Sequence, residues 1–204
     1  MNPSRQLILV RHGETEWNVA KRLNSRTDIP LSKEGARHVE QLSRSLTSVS
    51  INRCYSSPSL RTMQTAKLLT AQRECAIIQD ERLREIDFGA FEGLSAEALE
   101  TENASKAFNE WRSGILSEAE ATEPLEQAAQ RAREFFETVA ACPGTTLVVG
   151  HGYILRILIA TCVLMSEASL FRRLRIDNAS VSVVEWSAGN DDPLLVVMNG
   201  LAFP

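Results

Sequence analysis

No stretch of the 204-residue chain is long and apolar enough to span a bilayer. The most apolar segment, Leu155 to Leu164, has Arg156 at its start and reads as a buried helix. A basic-then-apolar signal pattern is also missing, because Met1 to Gln6 is polar and the apolar run behind it is short. These absences set the expectation of a cytoplasmic protein without a membrane partner. Cysteine is scarce. Cys54, Cys75, Cys142 and Cys162 are scattered with no C-x-x-C, which argues against a disulfide framework and for reduced thiols. An excess of positive charge is lacking too: 22 Lys and Arg stand against 26 Asp and Glu. A net charge of -4 gives no overall attraction to nucleic acid, so any anion site must be a local cluster. No internal repeat or low-complexity linker divides the chain, and its length suits a single domain over residues 1–204.

What is present is an alternation of strand and helix signals. Gln6 to Val10 predicts a central strand, apolar on both faces. Asn18 to Ile29 reads as an irregular, charged loop. Ser32 caps a helix in which Ala36, Val39, Leu42 and Leu46 recur at helical spacing. Arg53 to Ser56 is a second strand, and Ser59 or Ser57 caps a helix from Leu60 to Leu69. Ala76 to Gln79 is a third strand. Ser95 to Trp111 predicts a helix capped by Ser95, and Gly114 to Thr122 a loop or frayed helix. Residues 95–122 are thus the candidate insertion covering a site. Pro124 opens a helix to about Ala140. Thr145 to Val149 is a strong buried strand, running through Gly150-His151-Gly152 into a helix from Ile154 to Leu164. A short helix is expected in Ser166 to Arg175. Val181 to Trp186 and Leu194 to Met198 are strands joined by a turn at Gly189 to Asp192. The order argues for an α/β fold with a mostly parallel sheet, helices on both faces and one antiparallel pair near the C-terminus. That antiparallel edge could support a homodimer.

Only three histidines occur. His12 and His151 share one context, an apolar strand followed by His-Gly, and open α/β sheets bind ligands at that carboxyl edge. His38 lies on a polar-flanked helix face and reads as surface. Arg11 adjoins His12, and Arg61 lies in the first turn after the second strand. Two guanidinium forks above one sheet edge can meet at a common point and match phosphate oxygens. The helix starts near Arg61 and behind His151 would add unpaired N–H groups. A metal held by His12, His151 and a glutamate would be opposed by these arginines. Spacing does not select among Glu81, Glu85, Asp87 and Glu92. Glu14 and Glu16 read as loop or helix-start carboxylates, with Glu14 near enough to orient a pocket group.

Leu9-Val10-Arg11-His12-Gly13-Glu14-Thr15-Glu16-Trp17-Asn18 resembles the signature of the histidine phosphatase superfamily, the phosphoglycerate-mutase-like proteins. Tyr55 to Ala66, with Ser56-Ser57-Pro58-Ser59-Leu60-Arg61, resembles that family's second arginine motif. Leu83-Arg84-Glu85-Ile86-Asp87-Phe88-Gly89 resembles its acid-donor motif, and Val149-Gly150-His151-Gly152 its second histidine motif. The resemblance implies a three-layer α/β/α fold with one antiparallel strand, no metal and no cofactor. It implies His12 as the nucleophile that becomes phosphohistidine, with Arg11, Arg61, His151 and Asn18 on the phosphoryl oxygens. Glu85 becomes the proton donor, and the substrate a small phosphorylated metabolite. The arginines would disfavour the His12 imidazolium by like-charge repulsion. Many relatives carry Gln-Gly where this chain has Asn24-Ser25, and many have a Pro-Gly-Gly-Glu-Ser turn that Glu120 to Leu125 lacks. Arg26, Tyr153 and the cap residues Phe108, Trp111 and Arg112 could touch substrate. A short insertion after the acid motif favours a phosphatase over a phosphoglycerate-type mutase, with a weak phosphate-recognising regulatory module as the non-enzymatic alternative.

Overall fold

Four consecutive apolar residues, Leu7, Ile8, Leu9 and Val10, are each at most 1% exposed, which requires cover on both faces of their strand. The computed structural model describes residues 5–95, 97–100, 102–113, 122–186 and 191–203. Its strands are β1 (Arg5–Arg11), β2 (Arg53–Ser56), β3 (Ile77–Gln79), β4 (Gly144–Gly150), β5 (Val181–Trp186) and β6 (Pro193–Gly200). They form one sheet in the order β3-β2-β4-β1-β5-β6. β1, β2, β3 and β4 are mutually parallel, and β5 runs antiparallel to both β1 and β6. β5 is therefore the one reversed strand, as expected.

One face of the sheet carries α2 (Lys33–Ser45) and α3 (Leu60–Thr70), packed on Ile8, Val10, Leu147 and Val149. The other carries α5 (Leu125–Ala140) and α6 (Gly152–Leu158), packed on Leu7, Leu9 and Val148. Successive β1 residues thus feed opposite cores, which is why the run is continuous rather than alternating. Each such buried aliphatic side chain stabilises the fold by roughly 1.5–3 kcal/mol before entropy is subtracted.

Several elements differ from the sequence expectation. The segment after His12 is not wholly irregular. Thr15 and Asn18 form a reciprocal capping box around one helical turn, α1 (Glu16–Val19). Neither Ser57 nor Ser59 gives α3 a side-chain cap. Ser59 occupies the cap position without such a bond, and its carbonyl accepts from Thr62 Oγ1 instead. Ser95 accepts from the Ala98 amide and starts a short 3-10 turn, Ala98–Glu100. The helix proper, α4 (Glu102–Arg112), follows it. α6 begins at Gly152, earlier than expected, and widens at Ile159–Val163 into a π segment marked by the Leu164 amide bonding the Ile159 carbonyl. All five residues of that segment are buried. The short helix after Ser166 is a 3-10 segment, Ala168–Arg173. Most of the expected loop 114–122 and the first half of the turn 189–192 lie outside the described residues. Among the described residues no helix is long and apolar enough to cross a membrane.

Gly35 sets how closely α2 approaches the end of β1. A Cβ there would stand 2.7 Å from the Glu14 amide nitrogen and closer still to its carbonyl oxygen. Both atoms are backbone, so a side chain cannot be accommodated by rotation. Gly35→Ala is expected to cost at least about 1–3 kcal/mol, the usual range for overpacking, measurable by urea unfolding. It should also displace Gly13 and Glu14, so turnover falls with stability. A variant as stable as the parent would refute the close approach.

Candidate active site

The register of β1 on β4 pairs Arg11 with Gly150. The next residues, His12 and His151, therefore leave neighbouring parallel strands at the same level. Their rings meet edge to face, with centroids 5.2 Å apart. His12 is 4% exposed and His151 0%. Arg61, in the first turn of α3, is 1% exposed and reaches over the same edge. Its NH1 and NH2 groups donate to the carbonyls of Thr27, Asn24 and Ser25, so it pins the 24–27 loop. Arg11 donates through NH1 to the Ile176 carbonyl at 2.8 Å. Gly152 makes room for it, since a Cβ there would lie 3.3 Å from the Arg11 Nε and Cζ.

A cavity of about 130 Å3 opens at this edge, lined by Arg11, His12, Asn18, Asn24, Glu85 and Gly152 among others. Arg61 and His151 do not line it but stand close to His12, and around His12 and the cavity buried polar atoms are left unsatisfied. The Nε atoms of Arg11 and Arg61, Nδ1 of His151 and both amide atoms of Asn24 have no hydrogen-bond partner. An unmade buried bond costs about 1–3 kcal/mol, and more for a charged group. Five of the six such atoms among the described residues belong to this site, and three of them are on arginine or histidine rather than on neutral amides. The arrangement suits an oxyanion.

The His12 ring has a defined tautomer. Its Nδ1 lies 2.7 Å from the Gly13 carbonyl, which can only accept, so Nδ1 carries the proton and Nε2 a lone pair. Burial holds its pKa well below 6.5, and the charges of Arg11 and Arg61 push the same way. Burial, not the arginines, is thus the leading cause. His151 is held low by burial, then by Arg61, His12 and Arg11. Burial also lowers both guanidinium groups, and the Glu85 carboxylate opposes this at each.

Glu85 is the one carboxylate of its segment that lines the cavity. Its Oε1 accepts from the Ile86 and Ile154 amides, and Oε2 from Tyr153. Two of these amides belong to the first turn of α6. The α6 start is therefore capped by a carboxylate, which takes the Tyr153 and Ile154 amides that the sequence suggested would be unpaired. Oε2 thus has a single backbone donor and Oε1 two. Glu81 and Asp87 line a separate cleft of about 430 Å3 with Arg26, whose Nε pairs with Asp87 at 3.1 Å. Glu92 is no solvated charge: its carboxylate accepts from Ser25 N, Ser25 Oγ and Thr27 N and shapes the Arg61-bound loop.

Asn18 presents a fixed amide. Its Oδ1 accepts from Thr15 N, Thr15 Oγ1 and Asn178 Nδ2, each at 3.1 Å, which leaves Nδ2 as the outward donor. Asn178, invisible to motif reasoning, also donates to the His12 carbonyl at 3.1 Å. Arg131 was equally hidden. It clamps Glu123 and donates to the Arg82 and Arg84 carbonyls, holding the chain that leads to Glu85. Both act from helices or loops far away in sequence, so no local signal marks them.

Tyr153 lines the cavity with Phe88, and their rings meet at 5.0 Å. Phe108 and Trp111 do not reach it. They are 6% and 0% exposed and stand behind Phe88. Arg26 belongs to the other cleft. The Arg112 side chain lies outside the described residues. Glu14 lines a further cavity with His38 and Asp177 and does not orient a pocket group. Glu16 and His38 are exposed. Among the described residues no group of three or more His, Cys, Asp or Glu is placed to hold a metal ion.

The buried neutral pair has a pH signature. Both imidazoles bind protons less readily folded than unfolded, where His titrates near 6.5. Below that pH the unfolded chain takes up more protons, so stability falls as pH falls; above it the pair contributes nothing. The melting temperature should therefore decline once pH drops below 6.5, and His12→Gln with His151→Gln should flatten that slope. A slope near 6.5 that survives in the double variant would refute a neutral buried pair.

A sequence model of the histidine phosphatase superfamily (branch 1) matches residues 7–199. A protein of Proteus mirabilis named "Probable phosphoglycerate mutase GpmB" is 35% identical over 188 residues, 89% of this chain and 85% of that one. The solved structure of YhfR from Bacillus stearothermophilus superposes with a TM-score of 0.85 at 28% identity, covering 96% of this chain and 97% of its own. The α-ribazole phosphatase from Shigella flexneri gives a TM-score of 0.85 at 25% identity, over 98% of each chain.

Proposed function

The chain belongs to the histidine phosphatase superfamily, and from that premise we propose that it hydrolyses a small-molecule phosphomonoester through a phosphohistidine at His12. The observation that carries this reading is the set of unsatisfied donors around His12, on Arg11, Arg61 and His151. A phosphoryl group would satisfy them together. Phosphoryl transfer needs positioning and stabilisation of charge on the equatorial oxygens. In this reading Arg11, Arg61, His151 and the Asn18 amide supply both, and no metal ion is required because the fixed cations already hold the phosphoryl charge.

The steps divide between two groups. Nε2 of His12 attacks phosphorus, and Glu85 gives its proton to the leaving oxygen. Glu85 then takes a proton from water, which displaces the phosphoryl group from His12. Glu85 lines the same cavity as His12, which supports the assignment. We take residues 1–204 as one domain with 95–122 as its cap: Trp111 and Phe108 brace the Phe88 wall of the cavity from that segment. The four cysteines are free, which supports a reducing, cytoplasmic setting.

The Proteus relative's name favours a second reading, a mutase that returns the phosphoryl group to another hydroxyl. The name of the Shigella neighbour favours hydrolysis. The test is a panel of sugar phosphates, phosphoglycerates, phosphoserine and α-ribazole phosphate, with EDTA in parallel. Isotopic phosphorus should appear on the enzyme and then as inorganic phosphate, with EDTA without effect. Label emerging in an isomeric phosphate ester would establish the mutase, and an unlabelled enzyme inert to the whole panel would refute both.

A further inference from the structure

From the sequence, Ser57 is only an alternative helix cap, yet it is buried and tightly held. Its amide donates to the Val149 carbonyl at 3.0 Å. Its own carbonyl accepts from Ser56 Oγ and Thr62 Oγ1, each at 2.8 Å. The hydroxyl therefore has little freedom to move, and it lies 2.8 Å from Nε2 of His151. The opposite ring nitrogen, Nδ1, is buried without a partner, and His12 stands beside that ring.

The hydroxyl has one proton to give, and two acceptors compete for it. Ser59 Oγ is 3.4 Å away, outside the 2.5–3.0 Å range of a good O–H···O bond. Nε2 of His151, at 2.8 Å, is the better acceptor. If Nε2 accepts, a neutral ring must carry its proton on Nδ1, since the hydrogen bond at one nitrogen decides the state of the other. The reverse tautomer would strand the serine proton on the long contact. It would also turn a lone pair of Nδ1 toward any anion in the site.

We propose that Ser57 is a positioning residue. By donating to Nε2 it holds His151 as the Nδ1–H tautomer, so that Nδ1–H donates to an oxygen of the phosphoryl group. This rests on the reading that a phosphoryl group occupies the site. Burial and the flanking arginines work in the same direction by keeping the ring neutral. Removing the serine hydroxyl leaves the ring in place and frees the proton to settle on Nε2, which removes one donor from the phosphoryl group.

Nitrogen-15 NMR of histidine-labelled enzyme with saturating inorganic phosphate reads the tautomer directly, with signals assigned through His12→Gln and His38→Gln. The parent should show His151 as Nδ1–H, and Ser57→Ala should shift it toward Nε2–H. kcat/KM should fall about 10- to 100-fold, as when the outer partner of a functional histidine is lost. Ser57→Cys keeps a weak donor and should be intermediate in both readouts, and it carries the comparison if Ser57→Ala does not fold. An Nε2–H ring in the parent, or a Ser57→Ala enzyme with unchanged tautomer and turnover, would overturn the proposal while leaving the phosphatase reading intact. A parent that neither binds phosphate nor turns over any ester would overturn that reading and this proposal with it.

Discussion

His12→Ala is expected to abolish turnover and covalent labelling together. In the proposed mechanism the ring supplies the bond-forming nitrogen, and its removal leaves no nucleophile in that place. Removing an enzyme nucleophile costs on the order of 10^6-fold in kcat, with the residue of catalysis coming from charge stabilisation alone. The fold should survive. The His12 side chain contributes one hydrogen bond, to the adjacent Gly13 carbonyl, and its burial as a neutral group is a liability in acid. The variant should therefore melt at a similar temperature at neutral pH and lose less stability on acidification than the parent. Binding of inorganic phosphate should persist, because Arg11, Arg61 and His151 remain. An inactive variant that still accepts isotopic phosphorus would transfer the nucleophile's role to another group, with His151 the nearest.

Glu85→Gln should separate good leaving groups from poor ones. An alkyl phosphate needs its leaving oxygen protonated as the bond breaks, whereas p-nitrophenolate departs as an anion with little help. The substitution should slow alkyl esters by about 10^2- to 10^4-fold, the usual worth of general acid catalysis, and p-nitrophenyl phosphate much less. The structure adds a complication that the same comparison resolves. Both Glu85 oxygens accept backbone amides, including Tyr153 and Ile154 at the start of α6. A glutamine turns an NH2 toward one of those donors, with a stability loss of about 1 kcal/mol from the broken cap. It also removes the carboxylate that eases the burial of Arg11 and Arg61. Those two effects act on every substrate alike. Equal losses for both ester types would reduce Glu85 to a cap and a counter-charge, and remove it as the acid.

The parts of the molecule that were legible beforehand are those encoded by neighbours along the chain. Strand and helix types follow from local periodicity, and so β1, α2, β2, α3, α5, β4 and β5 lie where expected to within a few residues. Ser32 does cap α2, since a cap is a three-residue event. Departures occur where a distant partner decides. The capping box of α1, Thr15 with Asn18, is itself local, but the Asn178 bond that fixes the Asn18 oxygen comes from across the sheet edge. The π segment at Ile159–Val163 lies where α6 is enclosed on all sides, and its apolar sequence fits a regular helix equally well. Glu92 reads as one more charge in an acidic run until the 24–27 loop folds onto it.

The same division runs through the candidate site. Sequence alone determined that an arginine and a histidine end β1 and that a histidine ends β4, because an apolar strand followed by Arg-His-Gly or His-Gly is a local pattern. It could not determine that the two rings meet at 5.2 Å, which depends on the parallel register of β1 on β4. Nor could it choose Glu85 over Glu81, Asp87 and Glu92 on spacing. All four stand close together in the chain, and only the packing of their loop against the start of α6 turns one of them into the cavity. The direction of the Asn18 amide and the contact between Ser57 and His151 are likewise tertiary. Each is set by a hydrogen-bond partner whose position is known only once the chain has folded.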